Sequence, residues 1–164
     1  ETPYDVTKYA LMKAKENKLI TILNPAPAYK INDDDFKLID FFTPNETEAE
    51  FYLNKKIETV KDIKIASEEF LKKGIKNVVI TLGEKGCYFA NNKENFFLNA
   101  FKLKEPVLDT TGAGDAFNGA LAVGLSKDLD IKEILTFANK VAAISTTKQG
   151  AAASMPSMED LKNY

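Results

Sequence analysis

The chain contains no histidine. A His-based catalytic triad, a His-ligated zinc and a His general base are therefore excluded. Any proton transfer falls to Asp, Glu, Lys, Ser, Thr, Tyr or Cys. Cysteine is nearly absent as well. Cys87 stands alone, which rules out an internal disulfide and fits a reducing, cytoplasmic compartment. No apolar run approaches the ~18 residues of a membrane span, and no secretory signal is visible at the start. A net charge of -2 leaves no basic surface for nucleic acid or for a membrane. Glycine is scarce, with 8 in 164 residues. What is present is a globular balance, 45% hydrophobic and 28% charged with 11 Phe and 6 Tyr, enough for a real core. The length suits one ordinary domain or part of a larger one. The sequence opens at Glu1 rather than Met, as a fragment or a processed product would.

Helical and strand patterns alternate. A helix follows Thr2-Pro3 with Tyr9, Leu11 and Met12 among lysines, and ends near Asn17. "KLITILNPAPA" reads as a buried strand entering a proline-rich loop, and Asp33 to Asp35 as an acidic helix start. Asp40 to Phe42 is a short strand before a turn and a helix. "TVKDIKIASEEFLKKG" places Ile63, Ala66, Phe70 and Leu71 at helical spacing and stops at Gly74. "KNVVITLG" is a β-branched strand. "GCYFAN" and "NFFLNAF" are two more, joined by Asn91-Asn92-Lys93. Helices are expected from about Ala113 to Ser126, from Ile131 to Lys148, and briefly after Pro156. This alternation implies an α/β fold around a mostly parallel sheet. Ligands then sit at the carboxyl ends of strands. Four chemically unusual loops fall there: "NPAPA", "TPNETE", "TLGEKG" and "DTTGAGD".

"DTTGAGDAFNGA", residues 109 to 120, holds three of the glycines around an acid. Gly112 and Gly114 permit a tight turn and a close backbone approach to a ligand. The first amides of the helix that follows lack partners inside it, and with the helix dipole they attract an anion. Asp115 in the first turn points at the same spot. A carboxylate beside an anion hole suits phosphoryl transfer, in which the acid takes a proton and the amides stabilise the moving group. An N-capped helix with an acid near its start explains the same residues. Two rival glycine motifs fail here. The dinucleotide fingerprint needs glycine where Phe117 stands, and a P-loop needs a Gly-Lys-Ser/Thr that is absent. In "TPNETE", Asn45 and Glu48 fit a capping box or a pair aimed at a magnesium nucleotide. "TLGEKG" fits a simple turn or a loop over a nucleotide. Cys87 reads as core and Lys85 as solvated.

Together these loops resemble the PfkB-type carbohydrate kinases, the ribokinase family, over their C-terminal part. "DTTGAGDAFNGAL" is similar to that family's second signature, and "VVITLGEKG" to its nucleotide loop. "LNPAPA" and "TPNETEAE" resemble the ribokinase branch, and all four stretches occur in the family's order. The resemblance implies a ribokinase-like layered α/β/α fold with the N-terminal part and the lid missing. Residues 1–164 would be the nucleotide-binding and catalytic part of a longer kinase domain. It implies transfer from ATP with Mg2+ to a sugar hydroxyl, most simply giving ribose 5-phosphate. It leaves open a catalytically silent nucleotide-binding fragment and a kinase for another sugar or nucleoside. Asp115 would be the base, with the amides of Gly112, Ala113 and Gly114 as the anion hole. Asn45 would meet the phosphates and Glu48 would act through water on magnesium. Thr81, Gly83, Gly86 and Asn139 would line the nucleotide site. Asp109, Thr111, Ser145, Lys148, Gly150 and Ser154 would hold a monovalent cation, K+, mostly through carbonyls. Glu1 would bond the sugar. The family also implies a homodimer.

Overall fold

The computed structural model describes residues 2–127 and 129–164. The chain divides into two compact units. The first holds the residues up to Gly83 together with Cys87–Phe97; the second holds Glu84–Gly86 and Leu98–Tyr164.

In the first unit, helix α1 (Tyr4–Glu16) precedes a short strand, β1 (Ile22–Leu23). A 3-10 turn over Asp33–Leu38 leads to β2 (Phe41–Phe42), then helices α2 (Glu46–Leu53) and α3 (Val60–Lys72). Strands β3 (Asn77–Thr81), β4 (Cys87–Asn91) and β5 (Asn95–Leu98) follow. The open sheet runs in the order β1-β2-β3-β4-β5. β1, β2 and β3 are parallel, with Leu23 opposite Phe42 and Phe42 opposite Val78. β4 turns antiparallel to β3, with Val79 opposite Phe89. The fold is therefore α/β with a mixed sheet, parallel in the half that carries the helical crossovers, as the alternation implies.

The core forms where strand and helix faces meet. Val78 and Ile80 on β3 are buried with Phe70 of α3 and Phe42 of β2. Phe36, Phe42, Tyr52 and Phe70 meet edge to face, an arrangement aromatic quadrupoles favour. Each helix has a local cause. α3 starts at a capping box between Thr59 and Asp62, and Gly74, with φ of 100°, follows its end. Cys87 is wholly buried and Lys85 is exposed.

Some elements differ from the sequence expectation. α1 buries Leu11, but Tyr9 and Met12 face outward. The strand expected from Lys18 pairs only at Ile22–Leu23, and Leu19 and Ile20 are exposed. The acidic run opens a 3-10 turn, and Asp35 in it is buried against Tyr4 and Lys8. That contact fastens α1 to the turn.

In the second unit, helix α4 (Ala113–Leu125) packs along α5 (Ile131–Ser145). Gly124 allows the close approach, since a Cβ there would lie 2.6 Å from Cγ2 of Ile134. α5 starts at Asp130, whose side chain accepts from the amide of Lys132, and it stops at Ser145 rather than Lys148. The stretch after Pro156 is a 3-10 turn, Asp160–Asn163. Among the described residues, no helix is long and apolar enough to cross a membrane.

Candidate active site

Two clusters of the expected residues form, one in each unit. In the first unit, the loops after β2 and β3 lie side by side. Thr81, the last residue of β3, donates its amide to the Pro44 carbonyl at 3.0 Å and bridges Asn45 in parallel register. Asn45 caps α2. Its Oδ1 accepts the Glu48 amide at 2.8 Å, and its own amide donates to Glu48 Oε2 at 2.9 Å. The capping box predicted from the spacing is thus complete. Glu48 is buried; burial pushes its carboxyl up, and the Asn45 amide pulls the other way. Gly83, exposed and with φ of 56°, has open space where a Cβ would stand.

In the second unit, the glycine stretch enters α4 as expected. Gly112 is the N-cap residue, left-handed at φ 78° and ψ 1°, a conformation glycine takes without strain. Ala116 donates to the Gly112 carbonyl at 2.9 Å and begins the helix. Asp115 lies exposed in the first turn. The Ala113 amide reaches the Thr110 carbonyl at 3.2 Å. Among the described residues, the amides of Gly112 and Gly114 have no acceptor, so both stay available at the positive end of α4.

Asp109 anchors this loop. Its Oδ1 accepts the Thr111 amide at 2.9 Å and its Oδ2 the Gly150 amide at 2.8 Å. The Thr111 hydroxyl first, and then those two amide bonds, hold its carboxyl below the usual range. The amides of Leu108 and Asp109 both donate to the Thr146 carbonyl, at 2.8 and 3.2 Å. A Cβ on Gly112 would meet Ala151 and Met155 at 3.2 Å, so the loop rests on the 151–155 turn. Asp109, Thr111, Ser145, Lys148 and Gly150 therefore lie along one network. Ser145 and Ser154 are buried and bond backwards, to Ala142 and Ala151 carbonyls.

Other expected residues stand elsewhere. Gly86, at φ 97°, is pressed against its own chain, because a Cβ there would come within 2.0 Å of the Leu98 carbonyl oxygen. Asn139 is buried on α5. Glu1 lies outside the described residues. The sequence reading missed Thr146, Ala151, Met155 and Asp160. Only Asp160 carries a visible signal, since Ser157-x-x-Asp160 has capping-box spacing.

An acid in the first turn of a helix, behind a left-handed glycine and beside unpaired amides, is an arrangement able to attract an anion, and it stands on an α/β fold. The chain belongs to the pfkB family of carbohydrate kinases, whose sequence model matches residues 5–158. It is 38% identical, over 164 residues, to a ribokinase of Haemophilus influenzae. It is 33% identical, over 165 residues, to a deoxyribokinase of Salmonella typhimurium. All of this chain is covered in both, and it spans 53% of each relative's length. The structure of Arabidopsis thaliana ribokinase complexed with ribose and ATP superposes with a TM-score of 0.93 at 28% identity. That match covers 98% of this chain and 52% of the plant protein.

Proposed function

We propose that residues 1–164 are the C-terminal nucleotide-binding and catalytic part of a ribokinase-like kinase that transfers the γ-phosphoryl group of ATP to a sugar hydroxyl. The observation that carries this reading is the opening of α4, where exposed Asp115 stands beside the unbonded amides of Gly112 and Gly114. In the proposed reaction Asp115 accepts the proton of the sugar's primary hydroxyl, the oxygen attacks the γ-phosphorus, and the bond from that phosphorus to the bridging oxygen breaks as ADP leaves. The helix opening takes up the charge that develops on the phosphoryl oxygens. Asn45, Thr81 and Gly83 are the candidate nucleotide contacts within the first unit, where the space beside Gly83 is open. Gly86 and Asn139, in the second unit, are the remaining candidates for the nucleotide site.

Among the described residues, no group of three or more Asp, Glu, Cys or His could cage a metal ion. Magnesium keeps its waters and binds through substrate phosphates, so it would need few ligands from the protein. Glu48 is its candidate partner through water. A magnesium ion held there through water would supply positive charge to the phosphates. The C-terminal end of α5 suits a monovalent cation, because its last carbonyls carry the helix's negative end, and each accepts one amide while keeping a second lone pair. The carbonyls of Ser145, Lys148 and Gly150 are the candidates to hold it, with Ser154, Thr111 and Asp109 around them. Asp109 would serve there mainly by shaping the loop.

Ribose is the proposed acceptor, supported by the relatives named ribokinase. The similarity to a deoxyribokinase over the whole chain favours deoxyribose as a second reading. The test is a coupled ADP assay on the full-length protein, with ribose and 2-deoxyribose as acceptors. ADP release that depends on a pentose, and product phosphorylated on the primary hydroxyl, is the expected result. ATP hydrolysis indifferent to sugar, or none at all, would overturn the reading.

A further inference from the structure

The anion loop at 109–114 is built of small residues and has little side chain with which to hold itself. The bonds that tie it to its unit end on Thr146 and Gly150, and Gly112 rests on Ala151 and Met155. Its position is therefore set by the stretch 146–155, which is itself a loop. That loop is held in turn from the end of the chain. Lys148 extends its ammonium to Asp160 Oδ1 at 3.2 Å. Asp160 is fixed by Ser157, whose amide and hydroxyl donate to Oδ2 at 2.8 and 2.7 Å. The same segment is pinned to α5 a second time, because Lys140 donates to the Leu161 carbonyl at 2.9 Å and Leu161 is buried. The ammonium of Lys140 also lies 5.5 Å from the centre of the Phe101 ring. Asp160 is thus bonded to Lys148, which stands two residues before Gly150 in the same loop; Gly150 in turn bonds Asp109, whose other oxygen holds the Thr111 amide next to Gly112.

We propose that the C-terminal segment 157–163 is a strut for the anion loop, and that Asp160 is a positioning residue that acts on phosphoryl transfer through Lys148. This rests on the kinase reading above. It assigns to the tail a part in transition-state geometry, beyond covering α5. A hydrogen-bond donor is effective only where it meets charge as that charge develops, so a small displacement of the loop lowers turnover and leaves ground-state binding nearly intact.

The test uses the full-length protein with Asp160→Asn, Lys148→Met and the double variant, and with Asp130→Asn as a control that removes a carboxylate charge at the far end of α5 while keeping its cap. Each strut variant is expected to lower kcat about three- to tenfold, well below its melting temperature, with KM for ATP within about twofold. The double variant should lose no more than the worse single one, because both changes cut the same link. Amide exchange at residues 111–114 should quicken in the strut variants and not in Asp130→Asn. Unchanged kcat in both singles, or losses that multiply in the double variant, would overturn the proposal. If the unaltered protein transfers no phosphoryl group, the kinase reading fails separately. The exchange data then decide alone: quicker exchange sustains the strut, and unaltered exchange ends it.

Discussion

Asp115 and the glycines around the loops act through single atoms. In the full-length protein, Asp115→Asn keeps the shape of the side chain and removes the proton acceptor. Turnover on the sugar is expected to fall about 10²–10⁴-fold with ATP affinity almost unchanged, measured by steady-state kinetics and nucleotide titration. The glycines separate into two kinds. At Gly86 a Cβ would strike the backbone of Leu98 at 2.0 Å and of Ala100 at 2.5 Å, and backbone cannot move aside cheaply. Gly86→Ala should cost about 3 kcal/mol or more in denaturant unfolding. Gly83 has nothing within 4 Å of that position, so Gly83→Ala should cost only about 1–2 kcal/mol of left-handed strain. Much of this was legible in the sequence. "DTTGAGD" placed Gly112 and Asp115 at a helix opening, and "TPNETE" announced its capping box. The role of Gly86 was not, because its neighbours at 98–100 come from a later strand. Spacing reports local order and is silent on which distant backbone will press against a residue.

At the scale of elements, α1 is joined to the sheet by charge as well as by Leu11. Asp40, buried at the start of β2, accepts from the Thr21 amide at 3.0 Å and from Lys15, and pairs with Lys76 at 2.8 Å. Burial alone would raise its carboxyl, but the bonds from Lys15, Lys76 and Thr21 outweigh that and hold it at about 2. A carboxyl lowered on folding stabilises the folded state above its unfolded value. That contribution is present in full above about pH 4 and is lost as pH falls toward 2. The expected outcome is an acid limb in a plot of stability against pH, worth about 2 kcal/mol, that flattens in Asp40→Asn. Nothing in "LIDFF" foretells the network, because its lysines lie on α1 and before β3. The end of α5 invites a different experiment. If its terminal carbonyls hold a cation beside the anion loop, replacing sodium by potassium at fixed ionic strength should raise turnover of the full-length protein. Equal rates in both salts would remove that site from the reading.

For the molecule as a whole, the alternation of helix and strand pointed to the α/β class, and the four loop motifs in their order carried the family resemblance. It did not give the lengths of β1 and β2, since an edge strand forms only as far as its neighbour pairs with it. β1 pairs at two positions, and Val6, Leu19 and Ile20 stand exposed near it. The 164-residue chain on its own is expected to bind ATP weakly and to phosphorylate no sugar, whereas the full-length protein, on the kinase reading, is expected to bind ATP firmly and to phosphorylate the sugar; the coupled assay compares them directly. The reversal of direction at β4 has a consequence of another kind, in the order of events during folding. β3 and β4 are joined by a short turn, so their five-residue ladder closes a small loop. β1 and β2 must wait for the chain between them to be gathered in, which costs more entropy before any contact forms. The meander at β3–β5 should therefore be built in the transition state while β1 is still adrift. Truncating Val79 or Phe89 should slow folding, and truncating Leu23 should instead hasten unfolding.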